Sequence, residues 1–211
     1  MISVKVCGIR DTLNAAEIAS AGPDFIGFNF YPHSPRYVGD NPEPSLFDNV
    51  PRGIIKTGVF VDEDETRLVD ISVKYNLKAI QLHGNESPGY CENVRSRGFR
   101  VIRAFNVTGD FDFGTLSQFR ACCDYFLFDS RTDKHGGSGV KFNWRILADY
   151  QLDIPFFLSG GIGPGDTAMI KGFIGKHFFA VDINSRFETA PGKKDAALVK
   201  TFIGTIKKIQ S

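Results

Sequence analysis

Along the chain, short apolar runs alternate with longer stretches that place an apolar residue at every third or fourth position. The short runs predict eight strands, at Val4–Val6, Phe25–Phe30, Ile54–Val61, Lys78–Leu82, Arg100–Phe105, Tyr125–Phe128, Ile154–Leu158 and His177–Val181. They are too short for buried helices and lean on β-branched and aromatic residues, which fit a pleated surface. The stretches between them open on residues suited to a helix start: Asp11, the acidic Asp62-Glu63-Asp64-Glu65, Ser87-Pro88, Asp166 and Asp195. A side-chain oxygen there accepts from an amide the helix leaves unpaired, and negative charge suits the helix dipole. Two intervals break the rhythm. Residues 31–50 contain Pro32, Pro35, Pro42 and Pro44, with Pro51 just beyond, and predict a long loop with at most a stunted helix. Residues 109–118 are similarly weak.

Strands that alternate with helices imply right-handed crossovers and a parallel sheet. Eight such units in 211 residues predict an α/β fold, a single (β/α)8 TIM barrel with parallel strands, as one domain over residues 1–211. That length is close to the lower limit for the fold, about 200 residues. An open doubly wound sheet competes, but the first strand lacks the G-x-G-x-x-G turn of dinucleotide-binding sheets. In a barrel the chemistry sits at the C-terminal ends of the strands, so those ends are where candidate residues are sought.

Alternation puts Lys5 on one face with Cys7, Gln81 with His83, and Leu127 with Asp129, and packs Val4, Val6, Phe126 and Phe128 under the helices. A buried cysteine is commonly a small hydrophobe. Cys7, however, stands at a strand end with Lys5 on its face, where a cation lowers a thiol pKa from about 8.5 and favours thiolate. Lys5 reads equally as a lysine that fills a barrel layer and pairs with a carboxylate, which does not exclude that effect. Asp129 follows an apolar strand, where desolvation raises a carboxyl towards the range of a general acid. Its plainer reading is a cap on the turn Ser130-Arg131-Thr132. Together Cys7 and Asp129 fit a base and an acid working on opposite sides of one small substrate.

The run Ser159-Gly160-Gly161-Ile162-Gly163-Pro164 follows the seventh strand, and Asp182-Ile183-Asn184-Ser185 follows the eighth. Glycines let backbone amides approach an oxyanion, and these two loops are where barrels bind phosphate. Gly136-Gly137-Ser138-Gly139 reads either as a loop that closes over substrate or as a passive linker. Arg36, in a proline-stiffened loop, offers a planar fork for a carboxylate, or is simply solvated. Phe28, Phe30 and Tyr31 beside it line a pocket or fill the core.

Composition narrows the partners. Twenty-five basic against twenty-four acidic residues leave a formal charge of +1, which gives no field to draw in nucleic acid or an anionic membrane. No run reaches the roughly 18 apolar residues of a membrane span, and Met1-Ile2-Ser3-Val4-Lys5 lacks the pattern of a secretory signal. Cys7, Cys91, Cys122 and Cys123 show neither CxxC nor zinc-ligand spacing, so neither a metal nor a disulfide is expected and a reducing cytoplasm is.

Taken in order, these segments resemble the phosphoribosylanthranilate isomerase family from Lys5 to the terminal helix. The resemblance is carried by Lys5-Val6-Cys7-Gly8-Ile9, Gly27-Phe28-Asn29-Phe30 with Ser34-Pro35-Arg36-Tyr37-Val38, and Gly58-Val59-Phe60-Val61-Asp62. It continues through Gln81-Leu82-His83-Gly84, Phe128-Asp129-Ser130, Phe142 with Trp144, Leu158-Ser159-Gly160-Gly161 and Val181-Asp182-Ile183-Asn184-Ser185. It implies the Amadori rearrangement of an N-linked ribosylamine phosphate in tryptophan biosynthesis, with no metal or organic cofactor. It further implies Cys7 as the base at the sugar C2, Asp129 as the acid at the ring oxygen, and Arg36 as the grip on the anthranilate carboxylate. Gly160, Gly161, Asn184 and Ser185 would bind the phosphate, and Gln81, His83 and Asp182 would border the substrate. The chain departs from the family at Arg186, where glycine is common, and at Arg103, where lysine is common.

A histidine-pathway ribosylamine phosphate isomerase would run similar chemistry with two aspartates, and Cys7 stands against it. A catalytically silent binding barrel would have no need of Cys7, Asp129 and Arg36 together. A thiol redox role for Cys122-Cys123 is weaker still, since adjacent cysteines without CxxC spacing read as packing. The expected partner is a small phosphosugar, with no nucleic acid and no membrane, and both monomer and homodimer remain open.

Overall fold

In the computed structural model of the chain, residues 1–130, 141–172, 175 and 177–209 are described. The strands are β1 (Ser3–Cys7), β2 (Phe25–Asn29), β3 (Ile55–Phe60), β4 (Ala79–Leu82), β5 (Arg100–Val107), β6 (Tyr125–Ser130), β7 (Phe156–Leu158) and β8 (Phe178–Ile183). Each pairs in parallel with the next, and β1 pairs with β8 as well as β2, which closes the barrel.

The alternation read from the sequence divides the core in two. Phe25, Ala79, Ile102, Ala104, Leu127, Phe157 and Ala180 fill the barrel interior. Phe25 and Phe157 meet there edge to face, with ring centroids 5.3 Å apart, an arrangement favoured by the ring quadrupoles. Val4, Val6, Phe126 and Phe128 point the other way and join the larger core around the barrel. Each such side chain contributes about 1.5–3 kcal/mol by burial.

The outer layer contains α1 (Thr12–Ser20), α2 (Ser45–Asp48), α3 (Glu65–Lys74), α4 (Pro88–Ser96), α5 (Thr167–Gly172) and α6 (Ala196–Lys208). Four expected caps are made: Asp11 accepts from the amide of Asn14, Asp64 from Arg67, Ser87 from Tyr90 and Asp195 from Leu198. Asp166 does not cap α5. Its carboxylate instead accepts the amide of Gly163 at 2.6 Å, inside a short 3-10 turn. The two weak intervals are stunted as predicted, to the single turn of α2 and a 3-10 segment at Phe113–Phe119. A second 3-10 segment, Trp144–Asp149, follows β6.

Phe47 of α2 stacks on Tyr75 and lies against Phe28 and Phe30. Phe28 and Phe30 are therefore core residues, not pocket walls, while Tyr31 does border the barrel mouth. One element has no precursor in the periodicity, an antiparallel hairpin of β9 (Glu188–Ala190) and β10 (Lys193–Lys194) between β8 and α6. Asn14 of α1 pins it: the Asn14 amide donates to the Lys194 carbonyl at 2.9 Å and accepts the Lys194 N–H at 2.7 Å. No described helix is long and apolar enough to cross a membrane. The Gly136-Gly137-Ser138-Gly139 loop lies outside the described residues.

Candidate active site

The C-terminal strand ends surround one cavity. Its wall includes Cys7 from β1, Gln81 of β4 with His83 just beyond, Asp129 from β6 and Asp182 from β8. Gly160 and Gly161 border it from the loop after β7, and Asn184 and Ser185 from the loop after β8. Of the residues expected from the sequence to catalyse or to hold substrate and phosphate, Arg36 is missing from that wall.

Lys5 organises the floor. Its ammonium is fully buried, donating to Gln81 Oε1 at 2.7 Å and to Asp182 Oδ1 at 3.0 Å. An unpaired charge at that depth would cost several kcal/mol. Burial works against the Lys5 charge, but Asp182 and Cys7 outweigh it and hold its pKa above 10.5.

A lysine only donates, so Gln81 must turn its carbonyl oxygen towards Lys5. The Gln81 amide nitrogen then faces His83 Nδ1, at 3.2 Å. Burial, with Lys5 and Arg103 adding to it, lowers the His83 pKa to about 4. The ring is therefore neutral at pH 7. Because Nδ1 accepts from Gln81, the ring proton sits on Nε2, 3.8 Å from Asp129 Oδ2. A chain of fixed donors thus runs from Lys5 through Gln81 to His83, whose Nε2 faces Asp129.

The Asp129 side chain is 25% exposed to the mouth. Burial pushes its pKa up to about 6, against the opposing pull of the Ser130 N–H, which donates to Oδ1 at 2.8 Å, and of Lys5. Gly160 packs close to it. With φ at +86°, a Cβ there would lie 2.6 Å from the Ser130 amide nitrogen and 3.1 Å from Asp129 Oδ1. Only glycine lets the loop after β7 come so near.

The Cys7 thiol does not behave as the sequence predicts. Burial pushes its pKa above 9.0, and the pull of Lys5 opposes the rise without cancelling it; Asp182 adds to the rise and Lys194 resists it. Lys5 is already shared between Asp182 and Gln81, which leaves less of its field for the thiol. The thiol also depends on a missing side chain across the sheet, since a Cβ at Gly27, in register with Cys7, would lie 2.8 Å from its Sγ.

Arg36 makes the bidentate contact expected of it, but with a carboxylate of the chain itself. Nε and Nη2 donate to Glu188 Oε1 and Oε2 of β9 at 2.8 and 2.7 Å, and both side chains are buried. Glu188 Oε1 also accepts from Lys194 Nζ at 2.5 Å, and Lys194 Nζ in turn donates to Asn184 Oδ1 at 2.6 Å. Burial opposes the Glu188 charge, yet Arg36 and Lys194 prevail and hold its pKa below 4.5. Burial draws Lys194 down to about 8 despite Glu188. Sequence reasoning missed both Glu188 and Lys194, whose one signal was that Glu188 lies three residues past the eighth-strand motif.

The two departures from the family pattern are placed as well. Arg103 is structural, donating to the carbonyls of Leu82, Ala104 and Gly84 at 2.7 to 3.0 Å. Arg186 lies exposed in the loop after β8.

The chain is similar to known proteins over nearly its whole length. Residues 4–205 match the family described as N-(5'phosphoribosyl)anthranilate (PRA) isomerase. The chain is 41% identical over 208 residues to the N-(5'-phosphoribosyl)anthranilate isomerase of Phocaeicola vulgatus, covering 98% of this chain and 99% of that one. It is similar to the crystal structure of phosphoribosyl anthranilate isomerase from Thermotoga maritima, with a TM-score of 0.88, 33% identity and coverage of 99% and 100%. A further structure of such an isomerase, in complex with reduced 1-(o-carboxyphenylamino)-1-deoxyribulose 5-phosphate, matches with a TM-score of 0.84, 30% identity and the same coverage.

Proposed function

Since the chain belongs to the phosphoribosylanthranilate isomerase family, we propose that Cys7 and Asp129 are the base and the acid of its reaction. The reaction is an aldose–ketose isomerisation in tryptophan biosynthesis. It is the Amadori rearrangement of N-(5-phosphoribosyl)anthranilate to 1-(o-carboxyphenylamino)-1-deoxyribulose 5-phosphate. The single observation that carries the assignment is that Cys7 and Asp129 face one cavity from β1 and β6, with the carboxyl raised to about 6.

Asp129 gives its proton to the furanose ring oxygen as the C1–O bond breaks, leaving an iminium between C1 and the anthranilate nitrogen. That cation makes the C2–H acidic. The Cys7 thiolate removes the C2 proton, the electron pair forms an enamine, and protonation at C1 with loss of the enol proton gives the ketone. A positioned acid or base of this kind contributes about 10²–10⁴ in rate. The neutral His83 N–H beside Asp129 steadies the carboxylate that ring opening leaves behind.

The backbone amides of Gly160, Gly161, Asn184 and Ser185 take the phosphate, in keeping with the loops barrels use for it. Arg36 takes the anthranilate carboxylate in competition with Glu188, whose charge Lys194 then continues to balance. Gln81 and Asp182 act through Lys5 by holding the floor in place.

Anthranilate fluorescence, followed as substrate is consumed, tests the assignment. Cys7→Ser and Asp129→Asn should each lose about 10²-fold or more in turnover while keeping the circular dichroism of the parent. Full activity of Cys7→Ser would remove it from the role of base.

A further inference from the structure

Away from the mouth, three of the four cysteines converge. Cys91 stands on α4, and Cys122 and Cys123 lie between the Phe113–Phe119 segment and β6. Their Sγ atoms all lie within 4.8 Å of one another. All three residues are buried, at 0%, 4% and 4% exposure, and none borders the cavity at the barrel mouth. We propose that this trio is a binding site for a single Cu(I) ion, held by three cysteine sulfurs in a trigonal arrangement.

The donor set selects the class of ion. Three sulfurs and no oxygen or nitrogen favour a soft cation over magnesium, calcium or manganese. Zinc in a structural site takes four ligands almost without exception, and among the described residues no fourth histidine, cysteine or carboxylate joins the group. Cu(I), by contrast, is satisfied by three thiolates. The spacing suits it. With metal–sulfur bonds of about 2.3 Å, three sulfurs in a plane around one ion stand about 4 Å apart, and the sulfurs of Cys122 and Cys123 are 4.0 Å apart.

The surroundings favour the charge that such a site carries. The Cys122 thiol donates to the carbonyl of Phe119 at 3.4 Å, and the Arg103 guanidinium lies over the ring of that same Phe119, 5.4 Å from its centroid. A buried cation therefore packs on Phe119, the residue whose carbonyl the Cys122 thiol meets; it is shared with Glu86 at 3.4 Å, and its Nε–H has no acceptor. Thiolates bound to Cu(I) carry net negative charge that Arg103 offsets. Loading forms three Cu–S bonds and releases thiol protons to solvent, and no electron changes hands.

Anaerobic titration of the intact enzyme with Cu(I), in competition with a chromophoric Cu(I) chelator, tests the site. The expected result is one copper per chain, three sulfur neighbours by X-ray absorption, and unchanged isomerase turnover. Cys91→Ala, Cys122→Ala and Cys123→Ala should each abolish stoichiometric loading, whereas Cys7→Ser should retain it. The proposal is overturned if the chelator keeps all the copper, if fewer than three sulfurs surround it, or if loading survives the alanine variants or is lost with Cys7. Loading that unfolds the protein, or zinc displacing copper from the trio, overturns it equally. Should an alanine variant fail to fold, the sulfur count on the parent protein decides.

Discussion

Cys7 must be a thiolate and Asp129 a carboxylic acid when substrate arrives, yet burial pushes the thiol above 9.0 and sets the carboxyl at about 6. Between those values the majority form is thiol with carboxylate, and the working form is its minority tautomer. Such a pair still gives a bell-shaped profile. The kcat/KM of the parent should fall below about pH 6, and its alkaline limb should lie above pH 9.0. An alkaline limb near neutrality would show a thiol lowered by Lys5. The same raised carboxyl has a cost in stability. The folded chain holds the Asp129 proton up to about pH 6 and the unfolded chain only to about 3.8, so stability declines as pH rises through that window. Asp129→Asn should therefore be more stable than the parent at pH 7, by about 2 kcal/mol once the exposed quarter of the side chain is allowed for. Urea unfolding should show that gain vanish below pH 3.8.

At the level of elements, strands and helices were legible because period two and period 3.6 are written into consecutive residues. Val4, Val6, Phe126 and Phe128 pack where alternation put them. The β9–β10 hairpin was not legible, since strands of three and two residues are too short to show a period and their hold comes from Asn14, far away in α1. The Cys7 pKa was misread for a related reason. Alternation reveals that Lys5 shares a face with Cys7 but not that Asp182, on β8, competes for the same ammonium. Strand pairing also makes a prediction that neither strand alone suggests. Gly27→Ala would place a Cβ 2.8 Å from Cys7 Sγ and should move the thiol, lowering turnover by about tenfold or more. The secondary structure, followed by far-ultraviolet circular dichroism, should persist. Undiminished activity would mean that β2 shifts to relieve the contact.

On the scale of the whole molecule, residues distant in sequence are tied together by buried charge. Glu188 balances Arg36 and Lys194 at once. Glu188→Gln leaves two buried cations facing a neutral amide and should cost about 3 kcal/mol in chemical denaturation at pH 7. Because the Glu188 pKa is held below its ordinary 4.5, its contribution is present above that pH and lost as pH falls through the lower folded value. The difference between parent and variant should therefore shrink in acid. A gap that stays constant down to strongly acidic pH would mean that Glu188 acts through packing instead of charge.

The Arg36–Glu188 pair spans 152 residues of sequence, and the Lys5–Asp182 pair that ties β1 to β8 spans 177. On a ribosome adding about 5–20 residues per second, Arg36 is made roughly eight to thirty seconds before its counter-charge. Throughout that time β1 has no β8 to pair with and remains an open sheet edge. The nascent chain therefore carries an unfinished edge and unmatched cations until β8 and the hairpin are made, and the substrate mouth comes into being almost at once when they arrive.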